Sequence, residues 1–330
     1  MLDIDSLQHR FDTFRSLMNS RIREILLVSS VYDGYIIEEV GTLEERIWQQ
    51  YADRGLSTVP RIRKVSSVER ALEVIRSETI DLVLTIVHEE ADLASDLARK
   101  AKAIRGELPV AVLATDPAFL ARMEEGEKPQ GVDRIFLWQN DPTLLVAIIK
   151  YFEDRANLDH DTRVGGVRLV LLVEDSVAHY STFLPAIYTA IMVLTRRLID
   201  EGLNHLHRQL RMRSRAKILL AGSFDEAVEI YRRYRPFILG VITDVRFMKA
   251  DRLDDTAGFE LVRKFAKLHI TVFRCKIEPI RSVDISTRRR DQSKVQHRKR
   301  TAYRCQRSIN VLNERITGKR FIPVPTGKTR

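Results

Sequence analysis

The stretch at residues 168–176 reads Arg168-Leu169-Val170-Leu171-Leu172-Val173-Glu174-Asp175-Ser176 and decides the predicted fold. Its apolar part is too short for a buried helix, and it ends abruptly in two acids. A second run, Gly240-Val241-Ile242-Thr243-Asp244, ends in the same way. Short apolar runs of this kind predict buried strands of a parallel sheet. Such sheets bind ligands at the carboxyl ends of their strands, so we expect Glu174, Asp175 and Asp244 to meet there.

Three carboxylates gathered at one sheet edge repel one another unless a cation lies among them. Mg²⁺ prefers oxygen ligands of this type, so the pattern favours a magnesium site. The alternative is that these acids only cap the helices that follow their strands, because Asp and Ser are common at helix N-termini.

Strands and helices alternate twice along the chain, which indicates an α/β protein with two parallel sheets covered by helices. A polar run ending in Gly165-Gly166 is the candidate linker between them. The predicted divisions are an N-terminal helix over 1–21, a first domain over 22–157, a linker over 158–166, a second domain over 167–270 with a helical insertion at 180–213, and a basic tail over 271–330.

The composition is that of a soluble globular protein, with 44% hydrophobic and 30% charged residues. We find no apolar run of membrane-spanning length and no signal-peptide core, so we expect a cytoplasmic protein without membrane insertion. The chain has two cysteines, Cys275 and Cys305. That number indicates neither a disulfide framework nor a zinc site.

The net charge of +10 is concentrated at the C-terminal end. Residues 271–330 contain seventeen Lys and Arg against four Asp and Glu, a balance of +13, which leaves about −3 for residues 1–270. Apolar periodicity is also lost after about Leu268, inside an expected domain. We interpret the tail as the product of a frameshift. A basic arm for nucleic acid or an anionic surface, and a solvated linker, are the alternatives, and nucleic acid is not the expected partner.

The second unit resembles the receiver domain of two-component response regulators. The residues that carry this resemblance are Glu174-Asp175, Asp244 and Gly258-Phe259-Glu260-Leu261. The resemblance implies a flavodoxin-like fold and a non-enzymatic role in phosphorelay signalling. It implies that Asp244 is the phosphoacceptor and that Glu174, Asp175, Asp244 and the backbone carbonyl of Arg246 bind Mg²⁺. The implied partner is a sensor histidine kinase or a phosphotransfer protein, and the chain is a possible homodimer.

The first unit has the same order of elements without the acids. It carries Ser29-Ser30 after its first strand, Leu84-Thr85-Ile86-Val87 at the third, and Trp138-Gln139 after the fifth, where receivers keep a lysine. It therefore resembles a pseudo-receiver. In the second unit we place no counterpart of the receiver's switch Ser or Thr, or of its lysine, so the predicted receiver is incomplete.

A silent receiver followed by an acid-bearing one resembles the N-terminal part of bacterial signalling proteins that continue into a phosphoenolpyruvate/pyruvate-binding, dikinase-type module. The runs Ile25–Ser30, Ile148–Asp154 and Leu172–Ser176 carry this resemblance. Two other functions are weighed against phosphoryl acceptance. One is a non-catalytic scaffold of receiver fold, and the other is a truncated fragment without function.

Overall fold

A computed structural model describes residues 15–30, 32, 43–53, 56, 59–87, 91–117, 120, 129–198, 212–250, 252–265 and 271–274. Most of the predicted N-terminal helix and most of the basic tail lie outside these residues. So do Cys275 and Cys305.

The first sheet has five parallel strands in the order β2-β1-β3-β4-β5. The order is that of the flavodoxin-like doubly wound fold, which confirms the predicted fold class. The strands are β1 (Glu24–Val28), β2 (Arg61–Val65), β3 (Leu82–Val87), β4 (Val110–Ala114) and β5 (Arg134–Leu137). The helices between them are α1 (Leu43–Asp53), α2 (Val68–Ser77) and α3 (Ala91–Ile104).

Helix α4 (Pro142–Gly165) follows β5 and corrects the predicted linker over 158–166, because those residues form its last turns. Asp141 caps its start by accepting from the Thr143 amide, and Gly166 ends it in the left-handed conformation at φ 58°. The polar composition of residues 157–166 is the feature that predicts a linker there. The structure instead buries Asn157, Asp161 and Thr162 within the protein.

The second sheet repeats the order with four strands, β11-β8-β6-β7, all parallel. Its strands are β6 (Leu169–Val173), β7 (Lys217–Ala221), β8 (Ile238–Thr243) and β11 (Thr271–Arg274). The helices that the described residues form here are α5 (Val177–Leu198), α6 (Phe224–Tyr234), which runs into a 3-10 turn over Arg235–Phe237, and α7 (Ala257–Phe265). Strand β11 corrects the predicted start of the tail, because the sheet continues to Arg274 past the point where the apolar pattern fades.

An antiparallel hairpin, β9 (Phe247–Lys249) with β10 (Arg252–Asp254), interrupts the connection between β8 and α7. The sequence pattern did not predict it, since strands this short show no readable periodicity. Its position directly after Asp244 places it at the edge where the acidic side chains were expected.

Helix α5 accounts for the first part of the predicted insertion at 180–213, of which residues 199–211 lie outside the described part. Over Val177–Arg196 its mean hydropathy of 1.4 and its length of 20 residues would suffice to cross a membrane, which the sequence analysis did not recognise. More than half of this helix is buried within the protein. Such burial is typical of a core helix, so its length and hydropathy are only weak evidence for a membrane span.

The buried face of α5 covers the open edge of the first sheet. Ser181 accepts a hydrogen bond from the Leu137 amide at 2.9 Å, and the Tyr180 hydroxyl donates to the Ile135 carbonyl. Both backbone groups belong to β5, which has a strand neighbour on one side only. The second domain therefore provides hydrogen-bond partners for backbone groups of the first domain's edge strand. An uncovered edge strand can pair with other chains and cause aggregation.

One face of α4 binds the backbone of the segment before β1. We call residues 18–22 the strap and the side chains of Glu153, Asn157 and Asp161 the acceptor row. The row accepts from alternate strap amides, pairing Asp161 with Met18, Asn157 with Ser20 and Glu153 with Ile22 at 3.2, 2.9 and 3.2 Å. Four helical residues rise about 6.0 Å. Two residues of extended chain span at most about 7.2 Å, so the two spacings are compatible.

The same helix carries ion pairs that are fully buried between the sheets. Arg215 donates two hydrogen bonds to Asp154, at 2.6 and 2.9 Å, and Lys217 lies 2.8 Å from Asp161. Burial disfavours charge on Asp154, but Arg215 and Lys217 outweigh it and lower the pKa of this carboxyl. The two domains thus share one charge-compensated polar interior.

Candidate functional site

Strand register brings the predicted acids to one sheet edge. β6 lies between β7 and β8, and Val173 is level with both Ala221 and Thr243. The next amides continue the pairing, since Glu174 donates to the Ala221 carbonyl at 2.9 Å and Asp244 donates to the Val173 carbonyl at 3.2 Å. Glu174, Asp175 and Asp244 therefore leave the carboxyl ends of adjacent strands side by side.

Glu174 is the buried member of this acidic site, with only 2% of its side chain exposed. Burial raises the pKa of Glu174, and the charges of Asp244 and Asp175 raise it further, while His179 acts in the opposite direction. The mutual effect of the three carboxylates is the electrostatic consequence of gathering them at one edge.

His179 also belongs to this site, although it is not among the site residues predicted from the sequence. Its Nδ1 lies 3.4 Å from Oε1 of Glu174, and its ring stacks on Phe183 one turn further along α5. Burial alone would lower the pKa of His179, but Glu174, Asp244 and Asp175 together raise it. The available signal was a histidine five residues after Glu174, in the first turn of the following helix.

The hairpin closes over the acidic edge from one side. Asp175 accepts a hydrogen bond from the Met248 amide of β9 at 3.2 Å. Lys249, next in the strand, pairs with Glu260 of α7 and lies 5.1 Å from the centre of the Phe224 ring. The hairpin therefore bridges α6 and α7 while one of its amides holds a site carboxylate.

Gly258 lets the start of α7 approach Asp244. Its amide donates to the Val245 carbonyl at 2.9 Å. A Cβ atom at this position would lie 2.1 Å from the Asp244 carbonyl oxygen and 2.9 Å from Cα of Val245. Because both contacts are with backbone, no side-chain rearrangement could relieve them.

Arg246, the predicted carbonyl ligand, follows Asp244 at the beginning of the hairpin connection. Its guanidinium Nε lies 3.1 Å from Asp255 in an exposed ion pair. Arg246 thus lies two residues after Asp244 in the chain. Its side chain pairs with Asp255 and not with the three acids, while the predicted ligand is its backbone carbonyl.

The donor set fits a magnesium ion in its chemistry, since all of its groups are oxygens and one carboxylate is buried beside two others. As the side chains stand, no group of three or more His, Cys, Asp or Glu within the described residues is arranged to hold a metal ion. Glu174 is turned instead toward His179 and toward the Ser176 amide at 3.2 Å.

The first sheet provides an internal comparison. Val28 of β1 is level with Val65 and Thr85, as Val173 is with Ala221 and Thr243. Ser29 and Ser30 thus occupy the positions of Glu174 and Asp175, and the buried Ile86 occupies that of Asp244. The equivalent edge of the first sheet carries no carboxylate at these three positions.

Replacing Glu174 by Gln is expected to stabilise the metal-free protein at pH 8. Because the pKa of Glu174 is raised on folding, its contribution is favourable below the unfolded-state pKa and is lost as pH rises through the folded-state pKa. Thermal unfolding with a chelator present should give a midpoint higher by about 2–4 °C for each kcal/mol recovered. The difference from the native chain should shrink as the pH is lowered.

The exposed Glu229 on α6 provides the control for this substitution. Glu229→Gln should leave the midpoint unchanged at both pH values. A Glu174→Gln variant less stable than the native chain at pH 8 would contradict the electrostatic description of the site.

The fold and the site define a flavodoxin-like α/β protein with a carboxylate cluster at the carboxyl edge of its second sheet. No family model and no curated protein matches the chain. Among solved structures it is similar to a response regulator protein from Burkholderia multivorans, at 19% identity over 39% of this chain and 92% of that one, with a TM-score of 0.26. It is also similar to a provisionally assigned two-component system response regulator/GGDEF domain protein, at 14% identity over 89% and 99% of the two chains, with a TM-score of 0.26. The fold assignment rests on the strand order and not on these scores.

Proposed function

We propose that this chain is a cytoplasmic response regulator in phosphorelay signalling, with Asp244 as its phosphoacceptor. The observation that carries the proposal is the meeting of Glu174, Asp175 and Asp244 at the carboxyl edge of a sheet with flavodoxin-like strand order. The proposed donor is a sensor histidine kinase or a phosphotransfer protein.

The proposed reaction is attack by a carboxylate oxygen of Asp244 on phosphorus. The new O–P bond forms an aspartyl phosphate while the bond from phosphorus to the donor's leaving atom breaks. A bound Mg²⁺, held by Glu174, Asp175, Asp244 and the Arg246 carbonyl, would neutralise the charge that accumulates between carboxylates and phosphoryl group. His179 lies against the same carboxylates, with its Nδ1 3.4 Å from Glu174, and together the three acids raise the pKa of its imidazole.

The signal would pass through the elements that contact the site. The phosphoryl group of an aspartyl phosphate carries roughly −1.5 to −2 charge at pH 7, where the carboxylate that it replaces carries a single charge. The hairpin amide of Met248 and the start of α7 at Gly258 lie against the acidic residues, so they are the first groups to respond. The first domain, with Ser29, Ser30 and Ile86 at the equivalent positions, would act as a pseudo-receiver in support.

Asp244→Asn should abolish labelling by acetyl phosphate in the presence of Mg²⁺, because the amide is not a nucleophile. The measurement is intact-mass detection of the phosphoryl adduct, with the labelled residue located by fragmentation. Asp116→Asn, which changes an acid near the edge of the first sheet, is the matched control and should label like the native chain.

Equal labelling of the Asp244→Asn variant and the native chain would rule out the phosphoacceptor assignment. The second candidate is a scaffold without phosphoryl chemistry, favoured by the shared buried interior of the two domains. Calorimetric titration with Mg²⁺ separates the two candidates, since a scaffold need not bind the ion. For a scaffold, the titration curve of Glu174→Gln would be the same as that of the native chain.

A further inference from the structure

Three arginines lie in or beside the strap, away from the acidic site. We call Arg15, Arg21 and Arg213 the arginine cluster. Arg213 donates to the Arg15 carbonyl at 2.8 Å, and Nε of Arg21 donates to the Met18 carbonyl at 3.2 Å. Two of the three guanidinium groups are thus anchored on backbone oxygens and keep further N–H groups for another partner.

The nearby carboxylates are already used by an inner layer of cations. Asp154 pairs with Arg215, Asp161 with Lys217, and Glu153 with Lys150. Among the residues that the structure describes, no ion pair connects a member of the arginine cluster to a carboxylate. In this part of the chain the cluster therefore has no carboxylate within ion-pair distance.

The three arginines repel one another, and a bound anion would reduce this repulsion. Burial lowers the pKa of Arg213, and the charges of Arg21 and Arg15 lower it further. Arginine presents its N–H groups in a planar fork that matches the oxygens of a phosphate group.

We propose that the arginine cluster binds a small phosphate-bearing anion with two or more negative charges. The cluster precedes Lys217, the first residue of β7, so it belongs to the amino-terminal side of the second sheet. The acidic site lies at the opposite, carboxyl ends of the strands. The proposed anion site is independent of Asp244 and of phosphorylation.

Hydrogen exchange of the full chain, with and without pyrophosphate at constant ionic strength, tests the proposal. Pyrophosphate should slow exchange of amides in residues 15–22 and 212–216 of the native chain. In Arg213→Gln and Arg21→Gln, half-maximal protection should require at least ten times more pyrophosphate. Arg233→Gln is the control, because it removes the same charge from an exposed pair with Asp159 and should bind as the native chain does.

Two outcomes would overturn the inference. One is protection confined to residues 276–330, which would assign the anion to the basic tail. The other is an equal loss of protection in Arg213→Gln and Arg233→Gln, which would indicate general charge attraction. Arg213→Gln should keep or raise the unfolding temperature without ligand, since it removes like-charge repulsion. Arg21→Gln repeats the test at a second residue.

Discussion

Asp154→Ala is expected to lower the free energy of unfolding by about 3–5 kcal/mol, since it leaves a buried cation without its partner. Asp154 accepts two hydrogen bonds from Arg215, one from the Tyr188 hydroxyl at 3.0 Å and one from the Ile218 amide at 3.0 Å. Arg215, Tyr188 and Ile218 are all buried, so these donors lose their acceptor inside the protein. Urea unfolding at pH 7, followed by circular dichroism, measures the loss.

Asp159→Ala is the control on the same helix. Asp159 pairs with Arg233 at 2.5 Å and accepts from Tyr234, but its side chain is 46% exposed. Exposed pairs of this kind contribute about 0–1 kcal/mol. Similar losses for both variants would show that the Asp154 pair is not the buried centre described above.

The pH dependence of this contribution has a fixed sign. Because the pKa of Asp154 is lowered on folding, its stabilisation is present above the unfolded-state pKa and is lost as pH falls through the folded-state pKa. An apolar double variant, Asp154→Leu with Arg215→Met, should recover much of the stability lost by Asp154→Ala, since it removes both buried charges together.

Gly258→Ala is expected to reduce both stability and phosphoryl acceptance. The added methyl group would meet the Asp244 carbonyl oxygen at 2.1 Å, so α7 must move away from the site. Overpacking of this kind typically costs about 1–3 kcal/mol. We expect at least about tenfold slower labelling of Asp244, because misplaced reacting groups lose much of their rate advantage. Labelling rate and urea unfolding are the two measurements.

Gly106→Ala provides the matched glycine control, since an added Cβ there meets no atom within 4 Å. It should stay within about ±0.5 kcal/mol of the native chain, as surface substitutions usually do. Unchanged labelling of Gly258→Ala would mean that the approach of α7 to Asp244 does not matter for the reaction.

The parts of the fold predicted correctly are those where local sequence and burial agree. β6 and β8 are apolar runs followed at once by acids, so both the strands and the edge they share could be predicted. The linker predicted over 158–166 is wrong, because a polar run does not by itself indicate the end of a helix. Asn157 and Asp161 are polar because they bind the strap amides inside the protein.

Features that depend on tertiary contacts were not predictable. β11 has too few apolar residues to show a period, and the three-residue strands of the hairpin show none. His179 enters the site because α5 begins directly after Ser176 and brings its first turn back over Glu174. Only the direction of that helix, and no spacing rule for metal sites, connects the two residues.

The acceptor row has a consequence for how this chain can change over evolution. The row accepts hydrogen bonds from backbone amides, which every amino acid except proline possesses. The Ser20 side chain itself is exposed. The side chains that position the strap therefore belong to α4, and any residue except proline can provide the amide at position 20. A substitution at Asn157 or Asp161 has no such freedom. The strap is free to acquire new surface chemistry while its partner helix is constrained to stay the same.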